Sequence, residues 1–262
     1  MDLPFKIIST DFDGTVHTDA QRPPVPVVFQ QRISQLQDQG VKWVVNTGRD
    51  FDSLMGALDS ARLTITPDYL VVVEREIHVR GRQGFSASLD WNTRCRDEQA
   101  TLFARIEPRL AEVIDWIHAH FTATVYADDY SPFCLAATTN ADADAILDHV
   151  GAAFRHLPEL TIVRNDVYAR FSHVAYNKGT AMSEVARMNH VPRDLVLAAG
   201  DHFNDLPMLS LEHARFLVAP SNAIPEVKSL VERQGGFISR DPGGYGVVQG
   251  LDFFLNQLNV RS

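Results

Sequence analysis

The sequence contains few cysteines and no long apolar run. Cys95 and Cys134 are the only cysteines among 262 residues, too few for a disulfide framework or a thiolate zinc site. No stretch approaches the roughly 20 consecutive apolar residues of a membrane helix. The N-terminus, MDLPFKIIST, lacks the charged start and the apolar segment of a signal peptide. These absences predict a cytoplasmic protein with no membrane partner.

Positive charge is also scarce. Lys and Arg number 24 against 33 Asp and Glu, so the formal net charge is −9. Binding to a phosphate backbone normally requires a basic face, and we therefore expect no nucleic-acid partner. An acidic protein can still bind a small phosphate if a metal ion and a few cationic side chains are concentrated at one site.

Both ends of the chain alternate between strands and helices. Apolar runs predict buried strands at 5–10, 41–46, 69–74, 194–200 and 214–219. Helical periodicity separates these strands, and DHFNDLPML after residue 200 is predicted to open a further helix. This alternation is typical of a doubly wound parallel sheet, an α/β fold that carries its active groups at the carboxyl ends of the strands.

The middle of the chain has a different pattern. A long amphipathic helix is predicted at about 97–120, followed by two strands, a helix at about 141–154 and two more strands. Short links between strands indicate an antiparallel sheet with helices on one face. We therefore predict a core formed by residues 1–79 and 176–262, with an α+β domain, residues 80–175, inserted into it.

Four short segments place chemically active side chains at the strand ends of the predicted core. Each has an ordinary structural alternative, such as a turn, a helix cap or a solvated charge. The segments are Asp11-Phe12-Asp13-Gly14-Thr15, Thr47-Gly48-Arg49, Lys178 at the start of a helix, and the pair Asp201 and Asp205.

Convergence of the acidic segments at one sheet edge requires a cation. Asp11, Asp13 and Asp201 would raise one another's pKa if they met without a positive charge. Mg²⁺ resolves this conflict because it prefers oxygen ligands and binds through a few carboxylates together with a substrate phosphate. Lys178 and the Thr47 hydroxyl would then stabilise the anion. The sequence thus predicts a magnesium and phosphate site.

The ordered set DFDGT, TGR, Lys178 and GDHFND resembles the haloacid dehalogenase superfamily, and in particular its Cof-type phosphatases, which carry a large inserted cap. The segment VAPSNAIPEVK is similar to the stretch that follows the last motif in that family. The resemblance covers essentially the whole chain, although the cap is matched only by its pattern. It implies a Rossmann-like core and a phosphatase that acts on small phosphorylated metabolites, sugar phosphates among them.

The resemblance also implies a role for each motif residue. Asp11 would be the nucleophile that forms an aspartyl-phosphate, and Asp13 would be the general acid and base. Mg²⁺ would be held by Asp11, the backbone carbonyl of Asp13 and Asp201. Phosphate-binding residues would be Thr47, Gly48 and Lys178. Asn204 and Asp205 would act indirectly, Asp205 through a metal-bound water.

Strand alternation in the inserted domain suggests which residues select the substrate. Val167, Ala169 and Phe171 would pack on the helices, which puts Tyr168 and Arg170 on the open face of the sheet, together with Tyr126 from strand 122–127. We expect this face to look toward the core site and these three side chains to contact substrate. Exposure to solvent without any contact is the alternative.

Two rival functions use the same residues. A phosphomutase or phosphotransferase would pass the phosphoryl group from Asp11 to a second hydroxyl instead of water. A non-catalytic phosphate-binding or interaction protein would be expected to have lost at least one motif, and none is lost. The motifs specify neither the physiological substrate nor the oligomeric state.

Overall fold

The structure, a computed structural model, describes residues 3–259. Continuous apolar runs form its first strands, as expected for strands that are buried on both faces. Up to residue 87 the chain forms β1 (Ile7–Thr10), α1 (Val27–Gln37), β2 (Lys42–Asn46), α2 (Phe51–Ser60), β3 (Tyr69–Val72), β4 (Glu76–Gly81) and β5 (Gly84–Ala87).

The middle of the chain begins with a long helix and continues with two strand pairs, each preceded by a helix. It forms α3 (Leu89–His120), β6 (Ala123–Asp128), β7 (Ser131–Ala137), α4 (Asn140–Ala153), β8 (Leu160–Asn165) and β9 (Tyr168–His173). Helix α3 begins about eight residues before the predicted start, because the polar segment 89–96 also places Trp91 and Cys95 in buried positions. The predicted order of helices and strands in this segment is otherwise the observed one.

The last part of the chain returns to alternating helices and strands. It forms α5 (Lys178–Met188), β10 (Val196–Ala199), β11 (Phe216–Ala219), α6 (Pro225–Arg233), β12 (Phe237–Ile238) and α7 (Gly243–Asn259). The predicted helix after residue 200 is wrong, since only a single 3₁₀ turn, Phe203–Asp205, forms there. Pro207 lacks an amide donor and restricts the residue before it, which prevents continuation into a helix.

An eight-stranded sheet has the order β12-β11-β10-β1-β2-β3-β4-β5. Its first six strands are parallel, and β1 lies between β10 and β2, with Ile7 opposite both Val196 and Lys42. Strands β4 and β5 extend the sheet in the antiparallel sense. The carboxyl ends of β1, β2, β3 and β10 consequently meet at one edge, which positions the candidate site.

The chain divides into two compact units. One comprises the residues up to Leu89 and those from Asn177 onward, and the other comprises Asp90–Tyr176. The predicted boundary at residue 80 is therefore too early: β5 pairs with β4, and β4 pairs with β3, so residues 80–89 stay with the parallel sheet. Tyr176 falls in the second unit, where its ring packs edge-on against Trp91.

The second unit is a four-stranded antiparallel sheet of order β6-β7-β9-β8 with its own apolar core. Phe133, Leu135, Ala169 and Phe171 point from the sheet into that core, where side chains of α3 and α4 meet them. The residues between them in sequence lie on the opposite, open face. None of the helices within residues 3–259 combines the length and the apolar character needed to cross a membrane.

Candidate active site

Asp11 and Asp13 follow β1 directly. The Asp11 amide donates to the carbonyl of Ala199 at 2.9 Å, which keeps the chain beside β10 for one residue beyond the strand. Gly14 then adopts a left-handed φ of +81°, and a Cβ at this position would lie 2.3 Å from a carboxylate oxygen of Asp201. The turn therefore requires glycine at position 14, and it brings the segment 11–15 into contact with Asp201.

Lys178 joins two of the carboxylates. It is the first residue of α5, whose N-cap Asn177 accepts hydrogen bonds from the amides of Gly179 and Thr180. Its Nζ is fully buried and donates to Oδ1 of Asp11 and to Oδ1 of Asp205, both at 2.6 Å. Burial alone would lower the pKa of Lys178, but the two carboxylates outweigh it and raise the pKa. A permanent positive charge thus lies at the centre of the site.

Asp205 is held by contacts to both of its carboxylate oxygens. Oδ1 accepts from Lys178, while Oδ2 accepts from the backbone amides of Asp201 at 2.7 Å and His202 at 3.0 Å. A Cβ on Gly200 would lie 2.5 Å from the Cβ of Asp205, so the turn can form only with glycine there. Asp205 thereby orients Lys178 and closes the turn that carries Asp201.

Asp11, Asp201 and Asp205 form a buried cluster of acids. One oxygen of each lies within 4.8 Å of the others, so the three carboxylates could together hold a metal ion. Burial, reinforced by the neighbouring carboxylates, raises the pKa of Asp11 and brings the pKa of Asp201 to about 7. Three carboxylates that repel one another and offer only oxygen atoms as ligands fit a hard divalent cation. The hydroxyl of Thr15 donates to Asp201 at 2.6 Å and orients its carboxylate.

The Asp13 side chain is directed elsewhere. Its two oxygens accept from Nε and Nη2 of Arg49 at 2.7 and 2.8 Å, and the ring of His17 lies 3.6 Å away. Burial alone would raise the pKa of Asp13, but these hydrogen bonds and charges bring it down to about 2. The Asp13 carboxylate is therefore ionised while Arg49 holds it.

Thr47 and Gly48 lie in the loop that follows β2. Helix α2 starts only at Phe51, and Asp50 caps it by accepting from the amide of Ser53. The Thr47 side chain is buried, and its hydroxyl accepts from the amide of Arg49 at 3.2 Å. This loop nevertheless begins at the same edge of the sheet as the segment that contains Asp11.

Several contacts in this region involve residues to which sequence reasoning assigned no role. Arg49 belongs to the segment Thr47-Gly48-Arg49, but Asp13, the acceptor of its hydrogen bonds, is 36 positions away in the sequence. Asn222 donates to the Gly14 carbonyl at 2.9 Å, and Glu74 accepts from the Asn204 amide at 3.0 Å. A carboxylate directly after the apolar run of β3 was a signal for Glu74. For Asn222 the signals were its position after β11 and its place in the segment VAPSNAIPEVK.

The other three candidate residues belong to the second unit. Tyr126, Cys134 and Arg170 are register partners across β6, β7 and β9, and Tyr168 lies opposite Ala136 on the same open face. The side chains of Tyr126 and Tyr168 are about half exposed. Nη1 of Arg170 lies 3.7 Å from Oδ2 of Asp128.

A comparison with known families finds a match in the second half of this chain. The model of the haloacid dehalogenase-like hydrolase family matches residues 122–239. The matched segment contains Lys178, Asp201, Asn204 and Asp205, as well as β6 to β9 of the second unit.

Two characterised phosphatases are similar over most of their length. A 5-amino-6-(5-phospho-D-ribitylamino)uracil phosphatase of Bacillus subtilis is 26% identical over 255 residues, covering 87% of this chain and 90% of the relative. A mannosylfructose-phosphate phosphatase of Agrobacterium fabrum is 26% identical over 264 residues, covering 95% and 96%.

Solved structures share the fold. The sucrose-phosphatase of Synechocystis sp., crystallised with sucrose and phosphate, superposes with a TM-score of 0.71 at 15% identity, covering 97% of this chain and 98% of that one. A haloacid dehalogenase-like hydrolase from B. subtilis superposes with a TM-score of 0.66 at 18% identity, covering 95% and 99%. The likeness extends over both units of the chain.

Proposed function

We propose, from the premise that the chain is a phosphatase of the haloacid dehalogenase superfamily, that it hydrolyses monophosphate esters of small metabolites. The reaction passes through an aspartyl-phosphate on Asp11, and Mg²⁺ is the cofactor. The observation that carries the proposal is the contact of the buried Lys178 ammonium with both Asp11 and Asp205 at 2.6 Å. A fully buried ammonium fixed between two carboxylates suits a site that receives a phosphate dianion next to a carboxylate nucleophile.

In the first step, a carboxylate oxygen of Asp11 attacks phosphorus and the bond from phosphorus to the leaving-group oxygen breaks. Asp13 gives its proton to that oxygen, which leaves as an alcohol. In the second step, water attacks the phosphorus of the aspartyl-phosphate and gives its proton to Asp13. Inorganic phosphate is released and the Asp11 carboxylate is regenerated.

Arg49 controls which of these roles Asp13 can take. The paired contact with Arg49 keeps Asp13 ionised, which is the form that accepts a proton from water. Donation of a proton to the leaving group requires the protonated form, so the proposed first step also requires that Arg49 release Asp13.

The metal and the phosphate use separate sets of residues. Asp11, Asp201 and the backbone carbonyl of Asp13 would hold Mg²⁺, which would supply positive charge to offset the negative charge of the carboxylates and of the phosphoryl group. The Thr47 hydroxyl, the amide of Gly48 and the ammonium of Lys178 hold the phosphoryl oxygens. The occupied oxygens of Asp205 support an indirect role for this residue.

The substrate class is a phosphorylated polyhydroxy compound, sugar phosphates among them. Both characterised relatives are phosphatases whose names specify substrates with a sugar or ribityl group. Tyr126, Tyr168 and Arg170 contribute to the choice among such substrates, and a change of Arg170 to Ala tests this point. Identical kinetics on every good substrate would contradict it.

The proposed location is the cytoplasm.

The test is release of inorganic phosphate from a panel of phosphorylated metabolites, with and without Mg²⁺. We expect release that depends on Mg²⁺ and is lost in Asp11→Asn. Asp38→Asn is the matched control, because this exposed residue at the end of α1 changes the same charge away from the site. Acid quenching during turnover should trap one phosphoryl group on the peptide that contains Asp11.

Two outcomes would redirect the proposal. Isomerised substrate without free phosphate would indicate a phosphomutase, because the same intermediate then transfers its phosphoryl group to a second hydroxyl. If the folded protein, saturated with Mg²⁺, forms neither free phosphate nor an isomerised substrate, the proposal that it is a catalyst is contradicted.

A further inference from the structure

Glu74 has an unfavourable backbone conformation at the edge of the parallel sheet. It follows β3 by two residues and has a φ of 68°, and the preceding Val73 has a φ of 44°. Left-handed conformations are rare in residues other than glycine, and for a β-branched residue such as Val73 they are true outliers. Strain of this kind persists only where the surrounding structure enforces it, and it is often found at functional sites.

Backbone hydrogen bonds to the neighbouring loop enforce the strain. The amide of Thr47 donates to the carbonyl of Val71, the amide of Val73 to the carbonyl of Arg49, and the amide of Glu74 to the carbonyl of Thr47, all at 2.8–2.9 Å. The segment after β3 is thus tied at three points to the loop that contains the proposed phosphate-binding residues.

The Glu74 carboxylate is buried and reaches a second part of the site. Its Oε1 accepts from Nδ2 of Asn204 at 3.0 Å, and a Cβ on Gly48 would lie 3.1 Å from the same oxygen. Its Oε2 is buried and accepts no hydrogen bond. Glu74 therefore lies between the loop after β2 and the turn 201–205, which come from distant parts of the sequence.

We propose that Glu74 is a positioning residue, which fixes Asn204 and with it the turn 201–205 against the loop that carries Thr47 and Gly48. The proposal rests on the proposed phosphatase function. The left-handed backbone at Val73 and Glu74 has a conformational cost, and the link between the two loops accounts for it.

Four proteins test the proposal: the wild type, Glu74→Gly, Asn204→Ala and the double variant. Glycine suits the left-handed backbone, so Glu74→Gly removes the carboxylate while the chain path is kept. We expect kcat on a chromogenic aryl phosphate to fall about tenfold or more, and the Mg²⁺ concentration for half-maximal activity to rise, as is typical for residues that hold metal-site groups in place. In the Asn204→Ala background, Glu74→Gly should lower kcat by less than about a further twofold.

Two further variants separate positioning from general effects. Glu74→Gln keeps the size and the acceptor oxygen, and it should keep kcat within about threefold of the wild type. Arg62→Gly is the control for release of backbone strain, because Arg62 has a φ of 51° in the same unit and is exposed. It should leave kcat unchanged.

Unchanged kcat and Mg²⁺ dependence in Glu74→Gly would overturn the proposal, and so would a full, independent effect in the Asn204→Ala background. If the wild type releases no phosphate, the proposed function fails, and the four thermal unfolding midpoints are then compared with and without Mg²⁺. Losses of stability that simply add for the two single changes would overturn the link between Glu74 and Asn204, whereas non-additive losses would support it.

Discussion

Removal of the charge of Asp201 should stabilise the metal-free protein at neutral pH, even though Asp201 is one of the proposed metal ligands. Its carboxylate is nearly buried and lies in the acid cluster with Asp11 and Asp205. Burial, with the charge of Asp205 as the next cause, raises the pKa of Asp201 from 3.8 to about 7. Without a cation, ionisation of this group therefore opposes folding.

The direction and the size of the effect follow from the pKa difference between the folded and unfolded chains. Below about pH 4 Asp201 is protonated in both states and contributes nothing. Above about pH 7 it is ionised in both states, and the folded state has a penalty of about 4 kcal/mol. The free energy of unfolding of the metal-free protein is thus reduced progressively between these two values. In Asp201→Asn this loss is absent, while the amide oxygen can still accept from Thr15.

Thermal unfolding in EDTA, from about pH 5 to about pH 8, measures the effect. A change of 1 kcal/mol moves the midpoint of a chain of this size by about 2–4 °C, so Asp201→Asn should unfold several degrees above the wild type near pH 8. The difference should shrink steadily toward pH 5. Mg²⁺ should raise the midpoint of the wild type, most strongly at high pH, and should have little effect on Asp201→Asn.

The exposed Asp38→Asn variant is the control for a general effect of net charge, and its midpoint should follow that of the wild type. An Asp201→Asn protein that unfolds below the wild type in EDTA near pH 8 would refute the reasoning. So would a stabilisation by Mg²⁺ that is independent of pH, because it would show that the ion does not offset the charge of this cluster.

Three other changes have defined outcomes. Asp11→Asn should lower phosphate release by at least about a thousandfold because it removes the proposed nucleophile, with circular dichroism as the check on folding. Arg49→Met removes two hydrogen bonds from Asp13, so the pKa of Asp13 should rise from about 2 toward its ordinary value, as read from carboxyl carbon shifts in NMR. Thr15→Val removes the donor to Asp201, and it should weaken Mg²⁺ binding about tenfold in a calorimetric titration.

Much of the parallel core could be predicted from local sequence. Strands β1, β2, β10 and β11 lie within the predicted runs because a strand buried on both faces must be continuously apolar. Asp11, Asp13 and Asp201 could be placed at one edge for the same reason, since a polar side chain directly after such a strand leaves the apolar layer at its carboxyl end.

Predictions that depended on pairing or on local breaks were less accurate. The predicted boundary at residue 80 cut through β4 and assigned β5 to the inserted domain, yet β5 pairs with β4, and β4 pairs with β3. The segment after Gly200 was predicted to open a helix. The backbone there instead follows Asp205, whose carboxylate binds the amides of Asp201 and His202.

The sequence by itself determined the α/β fold, the inserted α+β unit and the identity of the acids and the lysine, because buried strands and charged strand ends are local patterns. Only the tertiary structure decided which of these groups touch. The contacts of Lys178 with Asp11, Arg49 with Asp13, and Glu74 with Asn204 span 167, 36 and 130 positions. Such contacts depend on the order of strands in the sheet, which no single segment of the chain encodes.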